Sequence, residues 1–101
     1  MSRTLPEFDP AVGPTAQTLM HLGKLVRNRR AQAQMRIDDA AALSGVSSDV
    51  LSRLENGKPV TVDKLMLVLD GLGLRMLVVP KTDLPAIEAL LGQAADPGES
   101  P

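Results

Sequence analysis

Four side chains within one short stretch can read the edges of bases. Residues 45–57 run Gly-Val-Ser-Ser-Asp-Val-Leu-Ser-Arg-Leu-Glu-Asn-Gly, and Ser48, Asp49, Ser52 and Arg53 fall together on one side of a helix. In a major groove an arginine spans guanine O6 and N7, an aspartate accepts from cytosine N4, and serine hydroxyls donate or accept. An aspartate near phosphates costs affinity, so Asp49 implies either a selective cytosine contact or a local partner for Arg53. Around these four lie residues suited to phosphate oxygens: Arg36, Ser47, Asn56 and Lys58, with Thr61 at the start of the next helix.

Such a face needs elements that hold it outward. The opposite side of the stretch carries Val46, Val50, Leu51 and Leu54, so the helix lies on something apolar. Alone, just over two turns would not persist, because nucleation is costly. Ser47 is placed as its N-cap, accepting from an amide near Val50. Asn56-Gly57 ends it and Pro59 prevents continuation. A second helix is expected over 36–44, with Asp38 and Asp39 in the first turn where the helix dipole favours them. Its run Ala40-Ala41-Ala42 permits a close crossing, and Ala41 lies four residues before Gly45, the residue free to take the positive φ of a tight turn.

Two longer helices frame this pair. Residues 15–33 read as the first, capped by Thr15, with Leu19, Leu22, Val26 and Arg30 on one stripe. Residues 62–72 read as the fourth, capped by Thr61, with Leu65, Val68, Leu69 and Leu72 inward and Gly71 and Gly73 breaking it. Residues 1–14, with Pro6, Pro10, Gly13 and Pro14, read as a flexible N-terminal arm. The helical domain occupies 15–74. Residues 75–81 differ in kind. Arg75, Met76, Leu77, Val78 and Val79 lie between Gly73 and Pro80, in a run rich in apolar residues and too short for a helix. A lone strand leaves two open edges, and pairing with the same strand of a second copy about a two-fold axis closes one of them. The alternatives are packing on its own helices or pairing with the arm. Within 82–101, a short amphipathic helix is expected over 83–92 through Leu84, Ile87, Leu90 and Leu91, followed by an acidic disordered tail.

Composition narrows the function classes. With 101 residues the chain is one small domain with tails, and a core of this size gains from dimerisation. Phe8 is the sole aromatic, which disfavours RNA modules that stack bases. There is no cysteine and one histidine, His21, which lies off the buried stripe, so neither a metal site nor a cofactor is expected. No apolar run approaches the roughly 18 residues of a membrane span and no secretory signal is seen, so a cytoplasmic protein is expected. The net charge of −1 conceals a gradient: residues 22–64 hold eight basic and five acidic side chains, whereas everything charged from residue 82 onward is acidic. No nucleophile and base stand together, so an enzyme is not expected; Ser44, Ser47, Ser48 and Ser52 read as turn, cap and outward-facing hydroxyls.

Ala41, Gly45-Val46-Ser47, Leu51-Ser52-Arg53-Leu54-Glu55-Asn56-Gly57-Lys58 and Leu72-Gly73-Leu74 together resemble the Cro/C1 (Xre-type) helix-turn-helix family over about 22–74. The resemblance implies a mainly α fold: a four- to five-helix, lambda-repressor-like DNA-binding domain, here with a short C-terminal β-strand pairing across a dimer. It places Ser48, Asp49 and Arg53 at base-reading positions. It also places Arg30 and Glu55 where the family has a buried ion pair, in accord with Arg30 lying on an apolar stripe and needing a partner. The family usually opens its second helix with Gln, which contacts phosphate; here that position is Ile37 after Arg36, so either Arg36 replaces that contact or DNA binding is weaker. The added segment from Leu74 to Lys81 is similar to HipB-like antitoxins, which repress their own operon and bind a HipA-type kinase toxin. The resemblance therefore implies a homodimer on double-stranded operator DNA and a toxin partner. The competing expectations are a stand-alone phage-type repressor and a protein-interaction module that has lost DNA binding.

Overall fold

The computed structural model describes residues 5–94, which form five α-helices: α1 (Leu19–Gln32), α2 (Ile37–Ser44), α3 (Ser48–Glu55), α4 (Val62–Gly71) and α5 (Leu84–Ala94), the last preceded by a 3₁₀ turn at Lys81–Asp83. The tail expected beyond residue 94 lies outside the described residues. No helix among them is long and apolar enough to cross a membrane.

Helices α1 to α4 close around one core. Val26 comes from α1, Ala40 and Ala41 from α2, Leu51 and Leu54 from α3, and Leu65, Val68 and Leu69 from α4, with Leu72 just beyond it. Each of these four helices ends in the same two-bond turn. At the end of α2 the Gly45 amide donates to Ala42 O at 3.2 Å and the Val46 amide to Ala41 O at 3.0 Å. The turn requires a positive φ, which Gly45 takes at 78° without steric cost. The pattern repeats after α3 (Gly57 to Leu54 O, Lys58 to Arg53 O) and after α4 (Gly73 to Asp70 O, Leu74 to Leu69 O). After α1 the position is held by Gln34, whose φ is 55°.

Two contacts decide how closely the helices approach. A Cβ on Gly71 would lie 2.7 Å from Ser44 Cα, so the end of α4 crosses α2 backbone to backbone. Gly71 is the last residue of α4 and a packing position; it does not break the helix. A Cβ on Gly23 would lie 2.8 Å from Glu55 O, which brings α1 directly onto the end of α3.

Two expectations need correction. The first helix begins at Leu19, capped by Thr18, whose side chain accepts from the His21 amide at 3.0 Å. Thr15 instead donates to Glu88 Oε2 at 2.8 Å, joining the segment before α1 to α5. Leu19, now in the first turn, is about half exposed and leaves the buried stripe to Leu22, Val26 and Arg30. Second, the arm is irregular but attached. The Asp9 amide donates to Asn28 Oδ1 and Asn28 Nδ2 donates to Asp9 O, both at 2.7 Å, a reciprocal clasp around a buried asparagine. In the single chain residues 75–79 run as irregular backbone. A strand exists only against a ladder partner, and among the described residues the arm is joined to α1 through Asp9 and Asn28. Met76, Leu77, Val78 and Val79 are left exposed, Val78 at 89%.

Candidate nucleic-acid interface

Helix α3 separates its two faces completely. Leu51 and Leu54 are 0% and 1% exposed, while Asp49 and Arg53 are exposed and Ser48 and Ser52 half-exposed on the other side. Ser47 is the N-cap, accepting from the Val50 amide at 3.1 Å. Its hydroxyl proton remains available to a phosphate oxygen.

The tilt of α3 is set from α1. Arg30 Nε and Nη2 donate to Glu55 Oε2 and Oε1 at 2.7 and 2.8 Å, and Arg30 Nη1 donates to Met35 O at 3.0 Å. The paired side chains are 8% and 6% exposed. A bidentate pair of this kind is geometrically specific, and with the carbonyl bond the guanidinium is satisfied on three nitrogens. Gly23 lies two turns before Arg30 on the same face, so α1 grips the C-terminal end of α3 at two points. A second arginine, Arg29, donates to Leu72 O at 2.7 Å and fastens the end of α4 to α1.

The outward side chains are not loose. Arg53 Nη2 donates to Pro59 O at 3.1 Å, which orients the guanidinium across the loop and leaves most of its donors unused. Ser48 Oγ donates to Asp38 Oδ1 at 2.8 Å, a bond from the start of α3 to the first turn of α2. Asn56 Nδ2 donates to Ser52 O at 2.8 Å, so part of the asparagine serves the helix end. Lys58 and Arg36 are exposed at the two ends of the helix pair. Ile37 is half-buried against the core, so the side chain opening α2 turns inward. Thr61 precedes α4, and its hydroxyl bond to the Asp63 carboxylate is the main reason that carboxyl is held below its ordinary range. A phosphate at the start of α4 would have to displace that bond beside a negative charge.

Arg53, Ser48, Ser47, Asp49, Ser52, Asn56 and Lys58 thus lie on or beside α3, while Arg36 and Thr61 enter from the flanking helix starts. Sequence reasoning passed over Asp38, Arg29, Asn28 and Gly23. Gly23 had a signal, its spacing of seven from Arg30. The others bind groups 10, 43 and 19 residues away.

No curated protein matches the sequence. A family model described as a helix-turn-helix domain matches residues 21–75, from early α1 to just past α4, with the α2–Gly45–α3 unit at its centre. That span exceeds half of the chain, and the chain belongs to the helix-turn-helix domain family, in its Xre/Cro-type class.

Proposed function

We propose that this protein is a sequence-specific transcriptional repressor that binds double-stranded operator DNA as a homodimer through α3. One observation carries the reading: a short helix with a fully buried apolar face, tilted by a buried ion pair, presents Ser48, Asp49, Ser52 and Arg53 outward together. These residues read base edges, while Ser47, Asn56, Lys58 and Arg36 meet phosphates. Arg53→Ala abolishes specific binding in a gel shift on the upstream promoter region and leaves the oligomeric state unchanged. Unaltered shifts with that variant refute the assignment of α3.

The homodimer reading rests on the exposed run from Met76 to Val79. Pairing residues 75–79 of two copies gives their amides ladder partners and covers apolar side chains that one chain leaves in water. Half-sites then lie about 34 Å apart, or a multiple of it. Val78→Pro removes a ladder donor and reduces operator binding without touching a DNA contact. Wild-type affinity in that variant sinks the dimer.

The same segment supports a narrower role, the antitoxin of a HipA-type kinase toxin, with autorepression and toxin neutralisation in one chain. A kinase gene adjoining this one, whose product co-purifies with the protein, supports that role. Its absence leaves the stand-alone repressor.

A further inference from the structure

A hydroxyl group normally reads bases without discrimination, because it can both donate and accept. Ser48 is in a different situation. Its proton is committed to Asp38 Oδ1 at 2.8 Å, and a carboxylate oxygen can only accept. What Ser48 shows on its remaining side is lone pairs alone. Asp38 sits in the first turn of α2, on the helix that packs against α3, and Gly45 fixes the turn between the two helices. The bond therefore joins two elements whose relative position the core already sets, and the hydroxyl is aimed rather than searching.

We infer that Asp38 is a specificity-determining residue which, acting through Ser48, makes one position of each half-site select amino-bearing over keto-bearing base edges. This rests on the reading of α3 as the DNA-contacting helix. In the major groove adenine presents the N6 amino group and cytosine the N4 amino group, whereas guanine presents O6 and N7 and thymine O4. An acceptor-only Ser48 oxygen bonds to the first two and meets lone pairs on the second two. The resulting rule, adenine and cytosine together against guanine and thymine on the contacted strand, is unusual. It follows neither purine against pyrimidine nor strong against weak pairing, so it can be recognised in a binding profile. Asp38 itself touches no base.

The test is selection of a randomised duplex DNA library on the purified full chain, sequenced for wild type, Ser48→Ala and Asp38→Ala. In wild type, one position per half-site carries adenine and cytosine over guanine and thymine by roughly tenfold, the discrimination expected of one base-edge hydrogen bond. Ser48→Ala levels that position alone. Asp38→Ala levels the same position, because the released hydroxyl donates as readily as it accepts, and leaves the rest of the profile intact. A purely structural role for Asp38 would weaken every position together. The inference fails if Ser48→Ala levels no position, if the levelled position sorts by any other rule, or if a folded Asp38→Ala keeps the preference. Should Asp38→Ala not fold, the Ser48→Ala profile still decides, since a hydroxyl whose proton is not held by Asp38 would not give the amino-against-keto rule at the position it levels. A wild type that enriches no sequence removes the DNA reading and this inference together, whereas an enriched profile with the wrong rule removes only the inference.

Discussion

Residues 19–72 and residues 75–94 are both rich in apolar side chains, yet they treat them in opposite ways. In the first region Val26, Leu51, Leu54 and Val68 disappear into one core, and four helices end in the same hydrogen-bonded turn. In the second, Leu77, Val78 and Leu90 are 69%, 89% and 67% exposed, and Thr15 on Glu88 joins α5 to the segment before α1. The two also differ in their ion pairs. Arg30–Glu55 is bidentate and buried, whereas Arg75–Asp70 is a single contact at 3.1 Å between side chains 78% and 74% exposed. The contrast separates two uses of apolar sequence: one region buries its side chains within a single chain, and the other leaves several of them in water.

The sharpest way to break this comparison is at the ion pairs. Glu55→Ala strands the Arg30 guanidinium in the core and destabilises by about 3–5 kcal/mol, enough to unfold much of a small domain at ambient temperature. Asp70→Ala changes stability by at most about 1 kcal/mol. Urea denaturation of the two variants separates the cases, and equal losses would mean that α1 does not hold α3 through that pair. Removing both buried partners, with Arg30→Met and Glu55→Leu together, recovers most of the loss, because a well-packed apolar pair substitutes for a buried ionic one. If α3 is then positioned as before, DNA binding survives; if the pair sets the tilt, stability returns and binding does not.

Leucine truncation tests the same division through packing. Leu51→Ala costs about 2–5 kcal/mol at any protein concentration, since its cavity forms inside one chain. Leu77→Ala costs under about 0.5 kcal/mol in dilute protein, as expected of a surface position. If a second copy covers residues 75–79, that cost grows as concentration rises and the wild type dimerises. Thermal melts over a hundredfold range of concentration report it. A Leu77→Ala penalty that stays the same throughout means that no second copy covers this segment.

What could be read in the chain follows the same boundary. The α2–Gly45–α3 unit was legible because its signals are local: small residues at the crossing, a glycine at the turn, Ser47 three residues before the amide it caps. The pairing of Arg30 with Glu55 was legible through the family resemblance, which named the partner that an arginine on an apolar stripe demands. The start of α1 was not. Thr15 and Thr18 offer the same hydroxyl, and the choice falls to Thr18 because Glu88, 73 residues away, takes Thr15. The arm was misread for a similar reason, since nothing near Asp9 points to Asn28. Gly71 was misread because a glycine late in a helix signals a break, and only the contact with Ser44 shows that it permits a crossing. The segment 75–79 has a strand's composition and no partner in one chain, which no inspection of one chain could supply.

A small effect of opposite sign is expected at the one helix end that departs from the rest. Gly45, Gly57 and Gly73 take the positive φ of their turns at 78°, 75° and 73°, but after α1 the same two hydrogen bonds are made around Gln34 at 55°. A side chain with a Cβ pays about 1–2 kcal/mol to sit in this region. Replacing it with glycine relieves that strain but adds freedom to the unfolded chain, which returns about 0.5–1 kcal/mol of it. Gln34 is exposed, so no packing is lost. Gln34→Gly therefore stabilises by a few tenths to about 1 kcal/mol, a rise of several degrees in Tm for a domain of this size. DNA binding and dimerisation stay unchanged, because Gln34 lies outside the outward face of α3 and outside residues 75–79. A loss of stability would mean that the turn closing α1 is not strained, and that the four helix ends are more alike than their backbone angles indicate.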